Sequence, residues 1–178
     1  MVDASHNPAA GNVVLTGFMG TGKSTVGRLL AERLEYDFVD TDAVIEERHG
    51  PISAIFAEHG EEAFREMEHD VATELAQRIG LVIATGGRML LDERNAAALD
   101  TTGTIFCLTA TVDELVERLT VDGEHEKRPL LAGDDLGQRI SDLLAERSNG
   151  YGQFGQIDTT GRTVEDIVQS ILEALDNG

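Results

Sequence analysis

The chain has 178 residues, 41 % of them hydrophobic, which suits one domain with a sizeable core. Asp and Glu number 33 against 14 Lys and Arg, and the formal charge of −19 argues against sequence-independent binding to nucleic acid or to an anionic membrane. A single cysteine rules out an internal disulfide or a cysteine-rich zinc site, and no apolar stretch is long enough to span a bilayer.

Lys23 and Lys127 are the only lysines; the other twelve basic residues are arginine. An acidic, lysine-poor composition resembles that of proteins from salt-loving organisms, although solubility alone explains the acidity nearly as well. Such a chain repels anionic substrates at long range, so a site for them must concentrate positive charge locally. Residues 1–11 are polar and read as a disordered tail without the apolar core of a signal peptide, so the cytoplasm is the expected location.

In chain order, Asn12–Thr16 is an apolar, β-branched run that suits a buried strand. It leads into Gly17-Phe-Met-Gly-Thr-Gly-Lys-Ser24, a G-x-x-x-x-G-K-[ST] phosphate loop. Val26, Leu29, Leu30 and Leu34 follow in helical spacing. Strand, glycine loop and helix together are the context in which backbone N–H groups cradle phosphate oxygens. Lys23 can reach the β- and γ-phosphates, and Ser24 can ligate Mg²⁺. The loop implies a bound nucleotide and leaves the phosphoryl acceptor open.

A second strand, Asp37–Asp40, ends in Asp40-Thr-Asp42. Two carboxylates beside a phosphate loop suit divided labour, one on the metal's water shell and one on a hydroxyl acceptor. Asp42 equally suits a helix N-cap before Ala43-Val-Ile-Glu46. A helical insert spans 52–77, where Arg65 and Glu68 are one turn apart and can hold a substrate carboxylate or form an ordinary surface pair. Leu81–Thr85 is the third strand and opens onto Gly86-Gly87-Arg88. Thr104–Thr109 is the fourth and contains Cys107, read as a buried thiol. Thr111-Val-Asp-Glu114 and, more loosely, Thr163-Val-Glu-Asp166 have the form of capping boxes. Residues 122–133 are charged and end in Arg128-Pro-Leu-Leu, which reads as a lid. A short fifth strand falls at Gln156–Thr159.

Alternating strands and helices predict an α/β three-layer sandwich with a parallel, five-stranded sheet in one domain, 1–178. Ligands in such sheets collect at the carboxyl ends of strands, which selects Gly17–Ser24, Thr41–Asp42 and Gly86–Arg88.

The phosphate loop, Asp40-Thr-Asp42, the run from Ile52 to Glu68 with Phe64-Arg-Glu-Met-Glu68, Ala84-Thr-Gly-Gly87, Arg128-Pro-Leu-Leu-Ala-Gly133 and Glu146-Arg147 with Tyr151 all occur in the order found in shikimate kinases. The sequence resembles that family over nearly its whole length. The resemblance implies a P-loop kinase fold with a lid, and Mg²⁺-dependent transfer of the ATP γ-phosphoryl group to the 3-hydroxyl of shikimate. It implies that Lys23, Asp42 and Arg128 are catalytic. ATP would meet Gly20, Thr21, Gly22, Lys23, Ser24, Thr25, Arg118, Arg128 and Arg162, with Ser24 and Asp40 serving the metal. The acceptor would meet Asp42, Arg65, Gly86, Gly87, Arg88 and Arg147, braced by Glu68 and walled by Phe56 and Phe64. A monomer is expected.

The chain departs from the resemblance at Arg88, where the family has a third glycine. Either the backbone N–H still serves and the side chain turns away or adds an anion contact, or arginine fills part of the pocket and changes the acceptor. The rival readings are a kinase for gluconate or another polyol acid, a nucleotide-dependent switch without catalysis, and a nucleic-acid-stimulated ATPase, the last disfavoured by charge. The histidines show no metal spacing and are expected at the surface.

Overall fold

The first apolar run becomes the centre of a sheet. β1 (Asn12–Gly17) is buried at every position, as a parallel strand covered on both faces requires. The computed structural model describes residues 11–121 and 135–177. Around β1 lie β2 (Asp37–Asp40), β3 (Leu81–Ala84), β4 (Gly103–Thr109) and β5 (Gly155–Asp158), all parallel, in the order β2-β3-β1-β4-β5. These bounds lie within about a residue of those expected from the sequence. Asn12 ties the lower edge together, donating to Arg78 O and accepting from Leu81 N.

Side chains on the strands alternate between faces. Val13, Leu15, Val82, Phe106 and Leu108 pack beneath α1 (Lys23–Leu34) and α7 (Val164–Asp176). Val14, Ile83 and Ile105 pack beneath α2 (Thr41–His49), α3 (Ile52–Leu75) and α4 (Glu93–Asp100). A third cluster joins Phe18 and Cys107 to α5 (Val112–Val121) and α6 (Leu136–Gly152) through Leu115, Leu119, Ile140 and Tyr151. The result is a three-layer α/β sandwich. Cys107 is the expected buried thiol, its pKa pushed up to about 11 by burial, so it stays protonated and inert.

Local signals are partly reassigned. Both threonines cap, Thr111 accepting from Glu114 N and Thr163 from Asp166 N. Asp166 takes the Thr163 hydroxyl, so the second pair is not the reciprocal backbone box. The N-cap of α2 is Asp40, which accepts from Asp42 N and Ala43 N, and Asp42 lies inside the first turn. The insert is two helical stretches joined at Gly60 (φ 81°, ψ 175°).

Register makes the strand ends converge. Leu15 and Asp40 both pair with Ala84, so the segments following β1, β2 and β3 emerge at one edge. The proposed lid, 122–133, and Arg128 lie outside the described residues.

Candidate active site

The phosphate loop winds from β1 into α1, with Gly22 at the N-cap position in left-handed conformation (φ 92°). Buried Thr21 pins the loop by donating to Phe18 O at 2.7 Å. Lys23 Nζ donates to Gly17 O at 2.9 Å and Phe18 O at 3.0 Å, which holds its charge over the loop. At the start of α1, Ser24 Oγ donates to Asp40 Oδ2 at 2.7 Å. Both side chains are hard oxygen donors, of the kind that hold Mg²⁺ together with phosphate and water. A cavity of about 990 Å³ opens here, bordered by the loop, Thr25, Asp40, Asp42, Gly87, Arg118 and Arg162.

Beyond Asp42 and Gly87 lies a second group. A Cβ on Gly86 would stand 2.7 Å from Asp42 Oδ1 and 3.1 Å from Glu68 Oε1, so a residue without Cβ is what lets two carboxylates approach the backbone there. Gly86 N donates to Thr41 Oγ1, which locks the turn after β3 to the start of α2. On α3, Arg65 Nη1 pairs with Glu68 Oε2 at 2.7 Å. Burial raises the Glu68 carboxyl above its ordinary range, against the opposing pull of Arg65. Burial also works against the Arg65 charge, but Glu68 and Glu61 more than offset it. Phe56 and Phe64, one on either side of the Gly60 break, meet at 4.9 Å between ring centroids with their planes tilted by 39°.

Arg147 projects from α6 and is 3 % exposed. Its guanidinium lies over the Phe18 ring at 5.3 Å, and a Cβ on Gly87 would be 3.9 Å from its Nη1. Its Nε and Nη1 have no hydrogen-bond partner among the described residues. Tyr151, one turn on, donates to Gly87 O and secures the glycine turn.

Arg88 has φ −110° and ψ −6°, a negative-φ conformation open to residues with a side chain. Its side chain is turned outward, 39 % exposed, with Nη1 3.5 Å from Glu61 Oε1. No unusual backbone conformation is required of the residue at this position.

On the opposite wall, Arg118 is bonded to Glu114, Gly20 O and Thr159, and so fastens α5 to the loop and to the end of β5. Arg162 borders the cavity while its guanidinium holds Asp158 O, Asp166 O and Ser170 Oγ. Two contributors, Glu61 and Glu114, were not among the expected site residues, although each stands four residues before an arginine on a helix. Thr41 was selected with Asp42 by its place at a strand end, but its bond to Gly86, 45 residues away, has no local signal. His49 and His59 are exposed as expected, whereas His69 is half-buried with Nδ1 2.8 Å from Asn95 Oδ1.

Residues 19–176 match the family model described as shikimate kinase. A shikimate kinase of Geobacter metallireducens is 45 % identical over 167 residues, 93 % of this chain and 92 % of its own. The structure of a shikimate kinase from Acinetobacter baumannii in complex with shikimate is similar with a TM-score of 0.86 and 36 % identity, over 96 % of this chain and 95 % of that one. A gluconokinase from Sinorhizobium meliloti is similar at a TM-score of 0.66 and 20 % identity, over 94 % of this chain and 93 % of its own, a likeness of fold alone.

Proposed function

This chain belongs to the shikimate kinase family, and we propose that it transfers the γ-phosphoryl group of ATP to the 3-hydroxyl of shikimate, giving shikimate 3-phosphate. The observation that carries the acceptor half is Arg147. A buried guanidinium with two unpartnered nitrogens, beside a glycine turn and two carboxylate-bearing elements, suits an anionic partner of the right shape.

Phosphoryl transfer requires alignment and charge neutralisation more than covalent help. Lys23 and the N–H groups of Gly20, Thr21, Gly22, Ser24 and Thr25 hold the phosphates on the cavity side. Ser24 and Asp40 would hold Mg²⁺, which would supply positive charge to neutralise the phosphates. Arg118 and Arg162 line the base side, one bonded to the loop and the other, in the β5–α7 connection, to the end of β5 and to α7. Across Asp42 and Gly87, Arg147 and Arg65 grip the acceptor's carboxylate. Asp42, held against Gly86, orients the acceptor hydroxyl and takes its proton. Gly86, Gly87 and the Arg88 backbone form the floor. Arg128 adds positive charge from the segment 122–133, on the strength of its sequence. We place the enzyme in the cytoplasm as a monomer; no helix among the described residues is long and apolar enough to cross a membrane.

The test is steady-state ADP release with Mg²⁺-ATP and either shikimate or gluconate. Shikimate is expected to stimulate release and gluconate to leave it at the ATP-only rate. Stimulation by gluconate alone assigns the rival acceptor, and no stimulation by either at any salt concentration refutes the kinase reading.

A further inference from the structure

The fork of Arg65 has two unlike carboxylate partners. Nη1 is held by Glu68, whose side chain is 2 % exposed, while Nε and Nη2 converge on Glu61 Oε1 at 3.3 and 3.0 Å, with the Glu61 side chain 55 % exposed. The Nε/Nη2 edge is one that matches a carboxylate in bidentate geometry. Glu61 therefore occupies the position that a ligand carboxylate would take. Glu68 is held by burial and cannot leave without exposing its site. Glu61 is loosely held, because an exposed ion pair gains little over water.

The same Glu61 oxygen has a second cation within reach. Arg88 Nη1 stands 3.5 Å away on the turn after β3, a distance too long for a firm hydrogen bond and short enough for the carboxylate to swing across. Glu61 thus lies between two guanidiniums, one belonging to the acceptor group and one outside it. In the arrangement observed, its carboxyl is held below the usual range, first by Arg65 and last by Arg88.

We propose that Glu61 is an internal competitor for the acceptor's carboxylate on the Arg65 fork, and that Arg88 is the positioning residue that receives Glu61 when the acceptor displaces it. This rests on the acceptor reading above. It gives the Arg88 side chain a role without placing it in the pocket: Arg88 acts on affinity through Glu61.

A double-mutant cycle of wild type, Glu61→Gln, Arg88→Gly and the double variant tests this, with shikimate and ATP dissociation constants measured calorimetrically and acceptor KM and kcat alongside. Glu61→Gln is expected to tighten shikimate binding about threefold, the scale of an exposed ion pair. Arg88→Gly should weaken it by about the same factor when Glu61 is present and have no effect once residue 61 is glutamine. The changes should appear in acceptor affinity and KM rather than kcat, with ATP affinity constant. Equal weakening by Arg88→Gly in both backgrounds means direct contact and overturns the proposal, as does unchanged or weaker binding by Glu61→Gln. Failure of the wild type to bind shikimate removes the acceptor reading and this inference together, a result distinct from normal binding that ignores Glu61.

Discussion

Glu68 shows how one residue type reads differently by sequence and by structure. In the sequence it is the third-neighbour partner of Arg65, indistinguishable from a surface pair. In the structure it is almost wholly buried, and burial lifts its carboxyl above the unfolded value of 4.5. The native state therefore keeps the proton to higher pH than the unfolded chain does. The resulting contribution is fully present below pH 4.5 and is lost as pH rises through the raised native value. Thermal melts of wild type and Glu68→Gln, from about pH 4 upward, should show wild type losing stability relative to the variant across that window and then levelling. A constant difference at every pH would contradict the burial argument. Arg88 is the complementary case. Sequence flags it as foreign to a glycine turn, yet its φ is negative and its side chain is directed to Glu61. Which way a side chain leaves a turn depends on the neighbouring helix, and no local pattern encodes that.

At the scale of elements, β1, β3 and β4 were legible because buried parallel strands are continuous apolar runs, while the edge strands β2 and β5 are short and have no buried residue; Asn12, Asp37, Leu81 and Thr109 stand at or beside the real ends. Of the two roles that the sequence left open for Asp42, the cap falls to Asp40 instead, since the two residues are chemically alike and only the chain's bend shows which carboxylate faces the free N–H groups. The break in α3 at Gly60 was likewise hidden inside a helical pattern. Its φ of 81° with ψ 175° is a conformation reserved for glycine, and an added Cβ would meet nothing within 4 Å. Gly60→Ala should cost about 1–3 kcal/mol through backbone strain alone. It should also raise acceptor KM by shifting the Phe56 stretch against Phe64. Denaturant unfolding and steady-state kinetics check both, and an unchanged midpoint would mean that the bend is not required.

For the whole molecule the net charge of −19 dominates. Self-repulsion between acidic surfaces is screened by salt, and so is the long-range repulsion of anionic substrates. The melting temperature should therefore rise from low ionic strength to molar KCl, and kcat/KM for shikimate should rise over the lower part of that range. A Tm that falls with salt would show that pairs such as Arg48–Glu74 and Arg94–Glu66 outweigh the net charge.

The sequence by itself determined the fold class and the phosphate-loop motif, and it named most of the residues that the structure gathers around the cavity and the Gly86–Gly87 turn, because loop motifs and strand burial are written in short local patterns. Only the tertiary structure decided how those residues combine. It brought Gly86 between Asp42 and Glu68, left Arg147 buried with unpartnered nitrogens, and set Glu61 between Arg65 and Arg88. These are contacts between elements distant along the chain. Their geometry follows from sheet register and helix packing, which arise only when the whole chain folds.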